Sequence, residues 1–288
     1  MSVPSFTDLG KNARDVFRTG YHYGKRLIKL SVKSKSSDTV EVGSNLRFES
    51  ETSKLTGTAN TEYKMKDYGS LLLKWTTDGT VTLGYNRHHT IIPDIGLQSE
   101  ISYNPETTAR SVEIGAKCSK QSFNALCSIS SDMNSNVNVL GSIVTAVKGL
   151  LIGYQGGYNS ETNKMTTNDV GLAFNYRDVG FHFRCTSIPH EYGLSLLYRV
   201  NSDWDAAVDG ILAKNGGIEG YYTLGAGARC NIDERSTFRC KFNTDLQLGM
   251  GLQQKLDENI TLSLSFNIDC ANVTRGGHKV GLAIEIEA

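Results

Sequence analysis

The side chains able to do chemistry are few, and most are poorly placed for it. His88 and His89 adjoin a turn and have the right ring nitrogens for a metal, but no third ligand stands at a useful spacing, so no metal centre is expected. The six cysteines (Cys118, Cys127, Cys185, Cys230, Cys240, Cys270) include no C-x-x-C pair, which excludes a zinc ribbon and a thioredoxin-type site. Such sparse cysteines argue against a disulfide scaffold and for a reducing compartment. Gly276-Gly277-His278-Lys279 echoes a phosphate loop but lacks the G-x-x-x-x-G-K-[ST] spacing and a following helix, so it reads as a β-turn. Asn259-Ile260-Thr261 and Asn272-Val273-Thr274 match the glycosylation sequon, which matters only to a chain on the secretory route. No catalytic constellation and no cofactor are expected, and an enzyme is the least favoured class. What remains is charge: 30 Lys and Arg against 30 Asp and Glu, a formal net charge of zero. That balance disfavours a nucleic-acid partner.

What such charges do depends on the elements that carry them. Residues 5–19 read as a helix, with Phe6, Leu9, Ala13, Val16 and Phe17 on one face and Lys11, Arg14, Asp15 and Arg18 mostly on the rest. Gly20 and Gly24 end it and supply flexible joints. Beyond Gly24 the period changes to two. Val40, Val42, Leu46 and Phe48 share a face, as do Leu71, Leu73 and Trp75, and Val170, Leu172, Phe174 and Tyr176. The cleanest runs are Ile260–Ile268 and Val280–Ile286. Each run is about nine to eleven residues, the length of a tilted strand crossing a bilayer. Short turns such as Thr77-Asp78-Gly79, Asn159–Lys164, Lys214–Gly217 and Asp257–Asn259 separate them. All four prolines fall outside the runs, as an unbroken ladder requires.

No cleavable signal and no stretch of about 20 apolar residues is visible; Val139–Tyr154 is the longest candidate and Lys148 interrupts it. Residues 26–288, at roughly 14 residues per strand and turn, hold about 19 strands. The fold expected is all-β: a transmembrane β-barrel of about 19 strands with an N-terminal amphipathic helix, residues 1–25 forming the helical segment and joint and residues 26–288 the barrel. A sheet of that size encloses water, whereas eight strands would be filled by side chains.

A wet lumen gives the charges a task, because their sum sets ion preference. Parity places Lys29, Lys33, Arg47, Lys54, Lys64, Lys74, Lys117, Arg184, Arg199, Arg239, Lys241 and Lys279 inside, with Glu41, Glu62, Glu100, Glu113, Asp205, Asp209, Glu219 and Glu285. The helix adds Lys11, Arg14 and Arg18 against Asp15. Asp205 and Asp209 are read as lumen acids that weaken any preference for anions.

Several stretches resemble one family: Val3-Pro4, Asp8-Leu9-Gly10-Lys11, Ala13-Arg14-Asp15-Val16-Phe17 and Gly20-Tyr21 at the start, then Leu27-Ile28-Lys29-Leu30, then Lys74-Trp75 followed by Thr77-Asp78. Near the end come Asn272-Val273, Gly276-Gly277-His278-Lys279 and Gly281. From end to end the chain resembles the mitochondrial voltage-dependent anion channels, or mitochondrial porins. Barrels of that family have 19 strands, so the strand count and the resemblance are not independent. The resemblance implies a voltage-gated channel of the mitochondrial outer membrane, with the helix inside the pore. Its permeants would be ATP, ADP, phosphate and small ions, its surroundings lipid; self-association is left open. It also implies nucleotide contact at Lys11, Arg14 and Gln98.

The departures are specific. Many animal members carry a membrane-facing glutamate before the Lys-Trp pair; here it is Leu73, the physically easy choice in hydrocarbon. Hexokinase docking, tied to that glutamate in the family, is thereby put in doubt. The family's Gly-Leu-Lys, linked to nucleotide contact, reads Gly96-Leu97-Gln98, and Lys-Gly-Tyr reads Thr19-Gly20-Tyr21, with Arg18 one residue earlier. The ion preference expected is therefore weakly anionic or mildly cationic. Lys279-x-Gly281-x-x-Ile284-x-Ile286 resembles the insertion signal of mitochondrial β-barrels. The competing readings are a barrel scaffold that binds proteins, the import pore of the same membrane (which usually carries a long N-terminal extension), and a soluble ligand-binding β protein.

Overall fold

The computed structural model describes the whole chain except residues 1, 2, 24, 25, 38, 50–52, 67, 88–93, 134, 135, 216, 217, 275 and 276. A short 3-10 turn, Phe6–Asp8, precedes α1 (Lys11–Arg18). Nineteen strands follow among the described residues. They are β1 Arg26–Ser37, β2 Val40–Glu49, β3 Lys54–Met65, β4 Gly69–Thr76, β5 Val81–Arg87, β6 Ile95–Tyr103, β7 Arg110–Ser119, β8 Phe123–Ser131, β9 Val137–Val147 and β10 Leu150–Asn159. Then come β11 Lys164–Tyr176, β12 Val179–Thr186, β13 Glu191–Arg199, β14 Trp204–Asn215, β15 Ile218–Asn231, β16 Ser236–Asn243, β17 Gln247–Asp257, β18 Ile260–Asp269 and β19 Lys279–Glu287. Strand lengths run from 7 to 14 residues, a wider spread than the alternation indicates. The apolar stretch Val139–Tyr154 is the β9–β10 hairpin, turning at Lys148-Gly149. Lys214 belongs to β14 rather than to the turn expected there.

Every strand pairs antiparallel with its sequence neighbour, and β1 closes the sheet by pairing parallel with β19. The parallel seam is a consequence of the odd count. In an up-and-down sheet the first and last of 19 strands point the same way, so their ladder cannot be antiparallel. The seam runs from Ile28↔Leu282 to Lys33↔Glu287 and continues through Lys35 N–H to Ala288 O (2.9 Å) and Ala288 N–H to Lys33 O (2.7 Å). No sheet edge is left open.

The two faces of this sheet are sorted as a bilayer requires. Leu73 is 50% exposed on the outer surface and Trp75 63%, with Leu83, Ile101, Ile114, Val208 and Leu224 projecting likewise. In water such a band would be an aggregation surface; in hydrocarbon it is the matched solvent. Trp75, Tyr103, Tyr176 and Trp204 stand at strand ends on this outer face, where amphipathic rings meet headgroups. A soluble β protein needs its apolar face turned inward, so the outward band overturns that alternative.

The helix differs from the single 5–19 element expected. Gly10 adopts φ +66° and separates the 3-10 turn from α1. A β-carbon there would also overlap the His182 ring. Left-handed backbone and missing side chain are thus both required of this glycine. Helical hydrogen bonding starts with Arg14 N–H to Gly10 O (3.1 Å) and ends with Thr19 N–H to Asp15 O (3.1 Å).

Candidate functional site

The N-terminal segment lies against the inside of the wall, and two small apolar clusters form where they meet. Val3 and Leu9, with Phe6, pack on Val144, Leu151 and Ala173 of β9, β10 and β11. Ala13 and Val16, with Phe17, pack on Leu197 of β13 and Ala207 of β14. Val16 is 1% exposed. Burying Leu9 and Val16 stabilises the docked segment by about 1.5–3 kcal/mol each. The wall carries apolar side chains inward at these points, against the polar lumen that alternation alone indicates.

Glycines make the rest of the seat. Gly153 on β10 and Gly171 on β11 stand opposite each other, and β-carbons there would lie 2.7 and 3.0 Å from Leu9. On β15, a β-carbon at Gly227 would lie 3.0 Å from Phe17. On β17, one at Gly251 would lie 2.9 Å from the Gly20 carbonyl oxygen. On β19, one at Gly281 would overlap the His22 carbonyl. His22 N–H donates to Ser265 Oγ (2.9 Å), and that hydroxyl donates to the Gly281 carbonyl (3.2 Å). The linker after α1 is therefore pinned to β17, β18 and β19.

Two β16 cations reach the helix. Arg239 donates to Asp15 O (3.4 Å) and Lys241 donates to Phe17 O (2.6 Å). Both carbonyls belong to the last turn of α1, where the dipole is negative; Asp15 O also accepts from Thr19 N–H, whereas Phe17 O lies beyond the last helical bond. Burial pushes the hydroxyls of Tyr21 and Tyr23 up, Tyr23 to about 12, so both phenols remain neutral.

The charged face of α1 looks into the lumen. Lys11 and Arg18 are exposed, with Lys11 3.9 Å from Asp8. Arg14 is half-buried and donates to the Thr7 carbonyl. Burial, then Arg18 and Arg184, pull the Arg14 guanidinium below its ordinary pKa, a mark of crowded positive charge. Arg14, Arg18, Arg184 and His182, with Asp169 and Gln155, line a chamber of about 340 Å³. Arg18, Lys29, Arg47 and His22, with Glu285, line a second of about 530 Å³.

Three of the inward acids, Glu41, Asp205 and Glu285, are matched by cations. Glu285 accepts from Lys29 across the seam (2.9 Å) and Glu41 from Lys64 (2.5 Å). The side chain of Asp205 is 7% exposed, held by Arg229 and lying 3.6 Å from Arg199. Asp209 accepts from Ser195 Oγ (2.5 Å). Asp205 is thus an ion-paired acid. Arg229 is the residue sequence reading missed; it stands opposite Asp205 on β15, and Arg239 stands opposite Arg229 on β16.

The remaining sites fall as follows. Lys74 on β4 and Lys117 on β7 form no ion pair among the described residues. Gln98, on β6, donates to Glu100 (3.1 Å), away from the β13–β16 wall that seats α1, so it is not brought together with Lys11 and Arg14. Lys279, Gly281, Ile284 and Ile286 all stand on β19. His88, His89 and Gly276, and the side chains of Lys54 and Glu219, lie outside the described residues.

Comparison with known proteins agrees with this architecture. The family model for eukaryotic porin matches residues 2–281. The chain is 31% identical to the voltage-dependent anion-selective channel of Drosophila melanogaster over all of both chains. It is 32% identical to the human non-selective voltage-gated ion channel VDAC2, over 99% of this chain and 95% of that one. The VDAC1 channel of Ovis aries is 31% identical, over 99% of each chain. A closed barrel of 19 strands, an apolar exterior, a charged lumen and an N-terminal helix seated inside it, matched end to end in sequence, make this chain a divergent member of the eukaryotic porins, the voltage-dependent anion channel family of non-enzymatic membrane pores.

Proposed function

We propose that the chain is a voltage-gated diffusion channel of the mitochondrial outer membrane, passing small ions and the metabolites ATP, ADP and phosphate with weak anion preference. The observation that carries this reading is the seating of α1: an apolar face held on the wall and Lys11, Arg14 and Arg18 presented to the permeation path. Residues 1–25 act as the voltage-responsive segment and residues 26–288 as the conduit. Lys11 and Arg14 make the first contact with nucleotide phosphates. Lys29, Arg47, Lys64, Lys74 and Lys117 line the conduit, with Asp15, Asp205 and Asp209 among the acids that moderate it.

The charge arrangement supports weak rather than strong selectivity. Net charge is zero, fixed charges in a wet bore act through a potential screened over about 8–10 Å, and Asp205 is already neutralised by arginines. The relatives' own names span this range, one anion-selective and one non-selective. Hexokinase docking is not part of the proposal, because Leu73 offers hydrocarbon where a carboxylate is needed. Planar-bilayer recording of the purified chain in a salt gradient tests the reading. Large steps that close with voltage and a reversal potential slightly on the anion side are expected. Absence of steps would indicate a scaffold, and block by presequence peptides an import pore.

A further inference from the structure

Among the described residues, the ammonium of Lys241 has all its polar and aromatic partners in the N-terminal segment. Nζ donates to the Phe17 carbonyl at 2.6 Å, sits 4.2 Å from the centroid of the Tyr21 ring and 5.5 Å from that of Tyr23. The two rings meet edge-on, 5.8 Å apart at 67°. No carboxylate pairs with Lys241 among the described residues. An ammonium at a helix C-terminus and over aromatic faces is favourable on both counts. The wall is cut to fit: Gly249 stands opposite Lys241 on β17, and a β-carbon there would overlap the Tyr23 hydroxyl and lie 3.0 Å from the Lys241 stem.

We propose that Lys241 is a positioning residue for gating, a latch that fixes the carboxyl end of α1 and the Tyr21–Tyr23 linker to β16. Among the described residues no wall ammonium or guanidinium reaches the amino end of the segment. Val3 is tied to the wall by Asn124 Nδ2 donating to its carbonyl (3.0 Å) and by its N–H to Lys120 O (3.5 Å), Phe6 and Leu9 are held by apolar contact, and Gly10 supplies a joint between them and α1. Residues 17–23 are thereby a fixed point of the segment on β16. The location of the latch stands on geometry alone; its effect on closure rests on the channel reading above.

The test uses the full chain in micelles and in planar bilayers, with Lys241→Met, which keeps the stem, and Lys241→Arg, which keeps the charge. Lys241→Met should speed amide exchange at Thr19–Tyr23 about tenfold, leave strand amides unchanged, and make closure less steep. Lys241→Arg should restore exchange to within about twofold of the parent. Unchanged exchange in a Lys241→Met chain with an intact barrel overturns the latch. If Lys241→Met does not fold, Tyr21→Leu decides: linker exchange rising about threefold supports the proposal, and no rise overturns it. A parent chain without conductance steps would sink the channel reading while the exchange result still decided the latch.

Discussion

The carboxylate of Asp205 is clasped by the guanidinium of Arg229 on the adjoining strand, with Arg199 3.6 Å away on the other side. Register makes this a row: Arg199↔Asp205↔Arg229↔Arg239 across β13 to β16. One acid among three arginines is a counter-ion, not a cation-attracting site. Asp205→Asn should release two guanidiniums toward the lumen and move the reversal potential toward anions. It should also destabilise the barrel by about 1–3 kcal/mol, the lower end applying because Arg199 is well exposed. Bilayer recording in a salt gradient and thermal unfolding in detergent check both. An unchanged reversal potential would mean that the row lies off the ion path.

Gly10 joins the two halves of the N-terminal segment. Gly10→Ala forces a side chain into left-handed backbone, costing about 1 kcal/mol, and into the His182 ring. The amino half should undock while the strands keep their protection from exchange. Deleting residues 1–20 should likewise leave the barrel folded but reduce voltage-dependent closure. A truncated channel that closes as steeply as the full one would remove α1 from gating.

Gly281 belongs both to the stretch that resembles an insertion signal and to the seat of the linker. The two roles separate experimentally. Gly281→Ala should insert into the outer membrane of isolated mitochondria yet loosen the linker, because the new methyl group meets the His22 carbonyl. Ile284→Glu should block insertion, since that side chain belongs to the outward face. Failure of Gly281→Ala to insert would assign the glycine to insertion instead.

His22 gives linker docking a pH dependence. Burial lowers its pKa, Lys29 and Arg47 lower it further, and Glu285 opposes them. A docked histidine with a depressed pKa binds fewer protons than a free one. Docking is therefore strongest above the ordinary histidine pKa near 6.5 and weakens as pH falls below it, by up to about tenfold per unit until the depressed value is reached. Linker amide exchange, corrected for its intrinsic rate, should rise between pH 7 and pH 5. The His22→Gln chain should show no such rise.

The wall was legible in the sequence because lipid and water act on alternate residues of each strand. Runs such as Ile260–Ile268 carry that period without interruption. The helix seat was legible only as an exception to it. Ile143-Val144, Leu150-Leu151, Leu196-Leu197 and Ala206-Ala207 place apolar residues on both faces, and each doublet supplies one contact to the N-terminal segment. Parity found Asp205 but not its partner, because pairing depends on the β14–β15 register and not on either strand alone. The break at Gly10 was hidden because the apolar spacing of Leu9 and Ala13 survives a change of helix type.

The parallel seam sets an order of assembly. β1 finds its second partner only when β19 exists, and the linker rests on Gly251, Ser265 and Gly281, all in β17 to β19. The latch on β16 comes scarcely earlier in the chain. The linker that follows α1, synthesised early, is thus seated by the strands synthesised last. Until those strands are in place, the sheet has two unpaired edges and the linker has no seat, although the seats of residues 3–17 on β9 to β14 come earlier in the chain. Closure of the wall and seating of the linker therefore both wait for the last strands, and a chain ending before β16 would have neither.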